Sequence, residues 1–340
     1  MPGITKEEFS KIYQEQFVPI LRPLDSERSA AVRKSILVGF VGFGCFICCI
    51  IGSIIEKWPI AILAIAGFIA SIFLMNRSTD EFRKKLKKSV ITKILALCGQ
   101  LYMSDNKNVV TKDEIKQMGL FPRFSTKRDD DVIIGLHKGC NFAILETTLC
   151  HMESRGKHSE EVEDFNGLIV KVTMNKPFTS KTIVGIDGYI NRKNGFEEVL
   201  LEDVEFSKHL KVYSTDQIEA RYILTTAFME RLRSLGESFT KNRYSETSKF
   251  SKADIDAVNN VMDFMSKIPG VSNTITRAML VSAAFIDGYA YLFIPKYEDF
   301  FEIDVMSSLL DETQYYDVYC QLQLILSVIE YLKLDLKLGM

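Results

Sequence analysis

Apolar residues are concentrated near the N-terminus of the chain, in two uninterrupted runs. The first run, Ile36–Ile55, holds 20 residues without a charge, and the second, Trp58–Met75, holds 18. At about 1.5 Å of rise per residue, each run forms a helix that can cross a hydrocarbon layer of about 30 Å, the second only just. Glu56 and Lys57 separate the runs. The pattern therefore predicts a transmembrane helical hairpin over residues 35–75.

Basic residues flank the two outer ends of this hairpin, while the connecting segment offers Lys57 alone. They are Arg22, Arg28, Arg33 and Lys34 before the first run, and Arg77, Arg83, Lys84, Lys85, Lys87 and Lys88 after the second. Because cytoplasmic loops carry the excess of Lys and Arg, we expect a multi-pass protein with both termini in the cytoplasm.

The spans contain a stripe of small residues but no acidic or basic side chain. Gly44, Cys48 and Gly52 follow one another at four-residue spacing, with Gly67 and Ser71, or Ala66 and Ala70, as the matching surface. Close packing within the hairpin is the favoured interpretation, and homo-oligomerisation through the same surface is the alternative. Without charged groups, the hairpin is typical of an anchor, since transporters place polar groups in their spans.

Two amphipathic segments flank the hairpin. In the arm, residues 1–34, Thr5 and Glu8 form a capping box before a helix that we expect to end at Pro19. This helix either lies on the membrane surface or packs against the main domain. A basic helix is predicted over 76–105, with seven basic and two acidic residues in 76–93. Anionic headgroups attract such residues by about 1 kcal/mol each, and the expected lipid contacts are Arg83, Lys84, Lys85, Lys87 and Lys88.

The remaining residues, 106–340, alternate between strand and helix patterns and predict an α+β domain on a largely antiparallel sheet. β-Rich runs at Val132–His137 and Phe142–His151 flank a turn, and a polar loop is expected over Glu153–Glu163. Asp287-Gly288 is a strong hairpin signal. The strands predicted further along are Phe165–Thr173, Lys181–Ile186, Met279–Ile286 and Tyr289–Ile294, and the predicted helices are Ser214–Leu235, Ser251–Lys267 and Glu312–Leu334.

The distribution of charge along the chain differs between its regions, although the net charge of the whole chain is only −2. From Ile94 onward, 28 basic and 36 acidic residues give −8. We expect an acidic domain to project away from an anionic bilayer and to bind proteins or small molecules, not nucleic acid. Seven cysteines are too sparse for a disulfide framework, which agrees with a reducing compartment.

Three blocks of sequence carry a resemblance to a known family. They are Phe165–Val170 with Thr182-Ile183-Val184 after it, Leu201–Phe206 with Val212–Thr225, and Ala284–Tyr289. Together with the N-terminal hairpin, they resemble a two-span bacterial membrane family known as a domain of unknown function, DUF3137, over roughly residues 75–335. The resemblance implies a bacterial inner-membrane protein with a cytoplasmic α+β domain, and it supplies no catalytic residue.

Catalytic and cofactor motifs are missing from the sequence, including the nucleophile elbow, the zinc-protease helix, the P-loop and the dinucleotide fingerprint. We therefore predict no catalytic, cofactor-binding or metal-binding residue. The one cluster of ligand-type residues in the soluble part of the sequence is His137, Cys140, Cys150 and His151. Neighbours such as Cys150 and His151 point to opposite faces of a strand, so the four are not expected to bind zinc together.

Arg221 is the most informative charged residue, because it falls within the apolar stripe of the helix predicted at Ser214–Leu235. A buried guanidinium needs a partner, so we expect Arg221 to be partly buried and paired, with Asp203 as the first candidate. A structural clamp is favoured over anion or ligand binding.

Taken together, these patterns favour a non-enzymatic role. The predicted function is a membrane-anchored cytoplasmic domain for interaction, scaffolding or regulation, with protein partners that the sequence does not identify. The alternative is a ligand-binding sensor or an enzyme with its site around Arg221 and the nearby carboxylates. A pocket with convergent ionisable groups would favour the alternative, and an exposed apolar surface would favour the scaffold.

Overall fold

The computed structural model describes residues 4–54, 58–156, 158–174, 179–186, 195–230, 232–233, 281–295, 301, 303–305 and 307–335. These residues form two compact units. The first comprises Met1–Ile94 with Phe301–Tyr319, and the second comprises Leu95–Phe300 with Cys320–Met340.

Helices build the first unit. α1 (Lys6–Ile12) begins at Thr5, and its capping box with Glu8 is formed as predicted. The helical run does not end at Pro19 as expected, because π-helical residues Tyr13–Phe17 lead directly into α2 (Val18–Ile54). A proline removes one donor and crowds the carbonyl four residues earlier, and a π-helical turn just before it rearranges that hydrogen bonding. α3 (Trp58–Cys98) follows.

The arm packs within its own unit. Phe9, Tyr13 and Phe17 are buried, and their rings contact tyrosines at the start of the last helix, α7 (Glu312–Asp335). Tyr13 stacks on Tyr315 with ring centroids 5.6 Å apart. These buried aromatic contacts are the hydrophobic core of this end of the unit.

α2 and α3 pack side by side as an antiparallel pair. A Cβ atom placed on Gly42 would lie 3.2 Å from Ser71 Cβ, and one on Gly67 would lie 3.1 Å from Cys45 Sγ. Gly67 and Ser71 are thus the contact surface of α3, as predicted. Gly44 is not part of the contact, since a Cβ there would meet nothing within 4 Å. On α2, Gly42 and Cys45 form the contact with α3.

One described helical run, Lys6–Ile51, is long and apolar enough to cross a membrane, by length and composition alone. Only 6% of its most apolar stretch is buried. In α3, the described apolar stretch Ala64–Phe73 is shorter than a span, so the second predicted span is not established. The basic helix predicted over 76–105 is continuous with this helix and ends at Cys98.

The second unit contains one sheet of nine described strands, with every pairing antiparallel. The strands are β1 (Gln100–Met103), β2 (Thr126–His137), β3 (Cys140–Arg155), β4 (His158–Thr173), β5 (Thr182–Gly185), β6 (Glu197–Glu198), β7 (Lys211–Ser214), β8 (Ser282–Ile286) and β9 (Tyr289–Pro295). Their order across the sheet is β1-β2-β3-β4-β9-β8-β5-β7-β6. The mixed helix and antiparallel-sheet class predicted from the sequence is confirmed.

Two tight turns were visible in the sequence and are formed. Lys138 and Gly139 both have positive φ (49° and 80°) and join β2 to β3, while Asp287 and Gly288 (53° and 78°) join β8 to β9. Two consecutive residues with positive φ give the turn whose twist matches a hairpin.

The prediction of a polar loop at Glu153–Glu163 is wrong. The pairing of β3 with β4 continues through this region to Arg155 opposite His158, so the residues form a two-stranded ribbon. Gly156, with φ of 67°, lies at its tip. Backbone hydrogen bonds between strands need no apolar side chains, which is why polarity alone misled the prediction.

Three helices of this unit are short: α4 (Lys112–Met118), α5 (Val204–His209) and α6 (Gln217–Ile223). The hydrophobic core joins Ile115 and Met118 of α4 to sheet residues such as Leu145, Ile169 and Phe293. The helix predicted at Ser251–Lys267 lies outside the described residues.

Candidate functional site

Arg221 lies on an exposed face of α6, which corrects the prediction that it is partly buried. Its guanidinium donates to the Gln217 carbonyl oxygen at 3.4 Å and to Gln217 Oε1 at 3.2 Å. Both acceptors belong to the preceding turn of the same helix. Among the residues that the structure describes, no carboxylate pairs with Arg221, so a clamp role is not supported.

Asp203, the predicted partner of Arg221, has a different role. Its carboxylate accepts a hydrogen bond from the Phe206 backbone N–H at 3.0 Å and so caps the N-terminus of α5. An aspartate at this position satisfies a backbone donor that the helix leaves open, and its charge suits the helix dipole. The predicted pair of Asp203 with Arg221 is not formed.

A break in the predicted helix explains both corrections. Ser214 belongs to β7, and the cap of α6 is Asp216, which accepts from the N–H groups of Ile218 and Glu219. After α6 ends, Thr225 Oγ1 accepts from Phe228 N–H, and helical residues 226–230 follow. The break changes the helical phase, so Ile218 is 82% exposed while Ala220 and Ile223 are buried.

The basic residues after the apolar part of α3 differ in their surroundings. Lys85 is exposed and forms an ion pair with Glu27 of α2 at 2.5 Å, and Lys88 is also exposed. Arg83 is exposed as well and Lys87 is half-buried, and both line a small pocket of the first unit. The side chain of Lys84 is outside the described set. Lipid contact by these five residues stays a prediction.

Three carboxylates that sequence reasoning missed converge at a bulge between β2 and β3. The strand register skips from Asp129 to Val132, which leaves Asp130 and Asp131 opposite Glu146. Oxygen atoms of these three carboxylates lie within 4.8 Å of one another, and Asp131 and Glu146 are buried. The aspartate run was visible in the sequence, but its approach to Glu146 depends on the register.

Carboxylate oxygens are the ligands that Mg²⁺, Ca²⁺ and Mn²⁺ prefer. This group could supply three of them, fewer than the six or more that these ions usually take. Asp130, Asp131 and Glu146 each have further interactions within the protein. We therefore assign no metal to the cluster.

The histidines and cysteines singled out in the sequence lie in the β2–β3–β4 part of the sheet. His137 Nε2 lies 2.9 Å from Glu330 Oε1 of α7, and His151 Nδ1 lies 2.8 Å from Asp164 Oδ2. Cys150 is buried with Arg128 beside it at 3.2 Å, and burial raises the pKa of its thiol despite that positive charge. A thiol held in its protonated form is a poor nucleophile.

A polar network docks α4 on the sheet. Lys171 Nζ of β4 donates to Glu114 Oε1 at 2.8 Å and lies 4.5 Å from the ring centre of Tyr289. Tyr291 donates to the same Glu114 oxygen at 3.1 Å. Burial alone would raise the pKa of Glu114, but hydrogen bonds from Lys171 and Thr111, with the charge of Lys171, lower it. The network is charge-balanced and structural in character.

The fold and these sites define a protein of mixed helices and antiparallel sheet with a long apolar helix near its N-terminus. Residues 163–250 and 261–334 match the model of the family described as Protein of unknown function (DUF3137). This part of the chain, just under half of its length, belongs to the family, as its sequence blocks indicated.

Two further comparisons add no functional information. No curated protein matches the chain significantly. Among solved structures, the crystal structure of the mycobacterial trehalose monomycolate transport factor A, TtfA, is similar at 9% identity over 72% of this chain and 94% of that chain, with a TM-score of 0.33. A TM-score this low supports no argument about this chain.

Proposed function

We propose that the protein is anchored in the bacterial inner membrane by a two-span helical hairpin and presents a cytoplasmic α+β domain that binds other proteins. The observation that carries the anchor is the outward exposure of apolar side chains on α2 and α3. Phe40 is 72% exposed and Leu37 66% on α2, while Ile62 is 66% and Phe73 64% on α3.

Exposure of this kind argues against a soluble helical hairpin. In a soluble protein, burial of each such side chain stabilises the fold by about 1.5–3 kcal/mol. Large apolar patches that stay exposed mark contacts with a membrane or with another protein. The small residues Gly42, Gly67 and Ser71 face inward between the helices, while the large ones face outward. Lipid-embedded helix pairs have this arrangement, since small residues let the backbones approach.

Charge supports the proposed orientation. Basic residues flank the outer ends of the pair, and the positive-inside rule places them on the cytoplasmic side. The chain from Ile94 onward, with its net charge of −8, would then lie in the cytoplasm, where an anionic leaflet does not attract it.

Exposed apolar side chains on the second unit support the interaction role. Ile218 is 82% exposed, Leu200 74% and Val204 68%. Apolar side chains exposed in this way are typical of contact surfaces when they cluster. The alternative site around Arg221 has less support, because among the described residues Gln217 binds that guanidinium.

Alkaline carbonate extraction of membranes tests the anchor. We expect the wild-type chain to stay in the membrane pellet, and the variant Phe40→Asp with Ile47→Asp to insert poorly, since each charge costs about 2.5–3.5 kcal/mol at a helix centre. Ile218→Asp is the matched control, because it makes the same kind of change on the second unit. Release of the wild-type chain by carbonate would refute the anchor.

Site-specific photocrosslinking tests the interaction role. A photoreactive residue at Ile218 or Leu200 is expected to give a discrete adduct with a protein in intact cells, and one at the exposed residue Gln117 is expected to give none. Equal labelling at all three positions, or at none, would contradict a specific protein-binding surface.

A further inference from the structure

The sheet of the second unit has two edge strands, and they differ in charge. β6 is one edge, and its two residues, Glu197 and Glu198, are exposed glutamates. β1 is the other edge, and it contains no charged residue. Among the residues that the structure describes, β1 pairs with β2 alone. Proteins place charged side chains on open edges because such an edge is a template for another strand, and β1 lacks this protection.

The backbone of β1 presents hydrogen-bonding groups on its open side. Ser104 N–H donates to the Val132 carbonyl oxygen at 2.8 Å, which makes these residues a hydrogen-bonded pair of the β1–β2 ladder. Hydrogen-bonded and non-hydrogen-bonded pairs alternate in an antiparallel ladder, so the groups of Leu101 and Met103 face outward. Leu101 N–H is bonded to the Gly99 carbonyl oxygen. In the described part of the chain, this leaves the N–H and carbonyl of Met103 and the carbonyl of Leu101 for a further strand.

An exposed apolar patch lies beside this edge on one face of the sheet. Tyr102 is opposite Ile134, and Leu136 follows two residues later on β2, so the three side chains share a face. Tyr102 is 62% exposed, Leu136 43% and Ile134 37%. Val132 and Ala143 continue the same face inward and are buried in the hydrophobic core. The core of this unit therefore extends to the open edge, where its apolar surface is uncovered.

The absence of charge makes this edge suited to a second copy of the same chain. A two-fold axis brings each residue close to its own copy, so a charged surface would repel itself. Neither β1 nor the stretch Val132–Leu136 of β2 contains a charged residue. The same pairing at β6 would bring Glu197 and Glu198 against the glutamates of the second copy. Self-pairing is therefore favoured at β1 and disfavoured at β6.

We propose that two copies of the chain pair through β1 around a two-fold axis at Tyr102, which joins their sheets into one continuous antiparallel sheet. In this register, Met103 N–H donates to the carbonyl oxygen of Leu101 in the second copy, and symmetry supplies the reverse bond. The register brings the two exposed Tyr102 rings together as a non-hydrogen-bonded pair, with Cα atoms about 4.5 Å apart. Cross-strand aromatic pairs of this kind stabilise a sheet.

The rest of the patch extends the apolar contact between the copies. Ile134 and Leu136 lie on the same face as Tyr102, so in the pair they flank the two rings on either side of the axis. This surface includes neither Leu200 nor Ile218, and the pairing is therefore independent of the interaction role proposed above.

Disulfide trapping of the full-length chain tests the pairing. The Tyr102→Cys variant places two thiols across the axis, at a Cα separation within the range of about 4.4–6.8 Å that disulfides require. After oxidation of freshly lysed cells with copper phenanthroline, we expect a disulfide-linked dimer of this variant. The wild-type chain, with its native cysteines, sets the background.

Gln100→Cys is the matched control for Tyr102→Cys. Gln100 is exposed on the same strand and the same face, but it lies two residues from the axis. Its two copies are therefore about 14 Å apart, too far for a disulfide. The dimer yield of Gln100→Cys should be at least about tenfold lower than that of Tyr102→Cys.

The contrary outcomes are distinct. Equal yields from the two variants, including no dimer from either, would overturn the pairing. A higher yield from Gln100→Cys would overturn the axis at Tyr102. A disulfide between Tyr102→Cys and a different protein, identified by its mass, would overturn the second copy as the occupant of this edge.

Hydrogen exchange of the wild-type chain tests the same pairing without a substitution. The outward amide of Met103 faces solvent in a single copy and is hydrogen-bonded in the pair. In purified full-length protein at two concentrations about a hundredfold apart, we expect the β1 peptide to exchange more slowly at the higher concentration, by at least about threefold. Peptides from β4 should exchange at the same rate in both samples. Equal exchange of β1 at the two concentrations would overturn the proposal.

Discussion

Gly167 is the position where a single methyl group should do the most damage to the sheet. It lies in β4 opposite Pro295 of β9. A Cβ atom there would overlap the Ile294 carbonyl oxygen and lie 2.9 Å from Pro295 Cα. Both are backbone atoms, so no side-chain rotation can relieve the contact. The Gly167→Ala variant must instead push β4 and β9 apart.

The expected loss of stability follows from the separation of β4 and β9. Overpacking costs about 1–3 kcal/mol, and each ladder hydrogen bond that is weakened adds about 1 kcal/mol. We therefore expect a loss of about 3 kcal/mol, which is about a 100-fold increase in local opening. Hydrogen exchange of the β9 amides, measured by mass spectrometry on the full-length protein, reports this opening directly.

Gly156→Ala is the matched control for Gly167→Ala. Gly156 has a φ of 67°, and nothing lies within 4 Å of its Cβ position. Its substitution costs about 1–2 kcal/mol of backbone strain at the ribbon tip and should leave exchange in β9 unchanged. Wild-type exchange rates in β9 of the Gly167→Ala variant would refute the steric argument.

Three further predictions test other parts of the structure. Ionised Glu114 stabilises the fold above its unfolded-state pKa of about 4.3, and this stability is lost as the pH falls through the lowered folded-state pKa. Between about pH 5 and pH 3, the melting temperature of Glu114→Gln should therefore fall by less than that of the wild type. Gly67→Cys should form a disulfide with Cys45 on oxidation of membranes, since the two Cβ positions lie 3.9 Å apart, and peptide mapping would detect it. Arg221→Gln should change the free energy of unfolding by less than about 0.5 kcal/mol in denaturant titrations, because Arg221 is exposed.

Each of these outcomes has a contrary result. An unchanged pH response in Glu114→Gln would show that its carboxylate is not stabilised in the fold. Gly44→Cys has open space around its Cβ position, so a disulfide there in place of one at Gly67 would show that the helix pair is rotated from the described contact. A loss of several kcal/mol in Arg221→Gln would restore the buried clamp.

The sequence alone determined features that depend on neighbouring residues. The capping box of Thr5 with Glu8 and the tight turn at Asp287-Gly288 involve residues no more than four apart, so their chemistry is visible in the letters. The long helices follow from periodic apolar runs, and the final helix, predicted at Glu312–Leu334, is found at Glu312–Asp335. Local hydrogen bonds and backbone preferences are sufficient to specify such elements.

Tertiary structure decided the features in which distant residues meet. The helical break after Ile223 turned Arg221 outward, because burial of Ala220 and Ile223 against the domain outweighed the continuous apolar stripe. A one-residue bulge brought Asp130 and Asp131 to Glu146. The pocket on α3 exists because residues more than 200 positions away complete its wall. Packing is selected by the whole fold, so no window of sequence contains it.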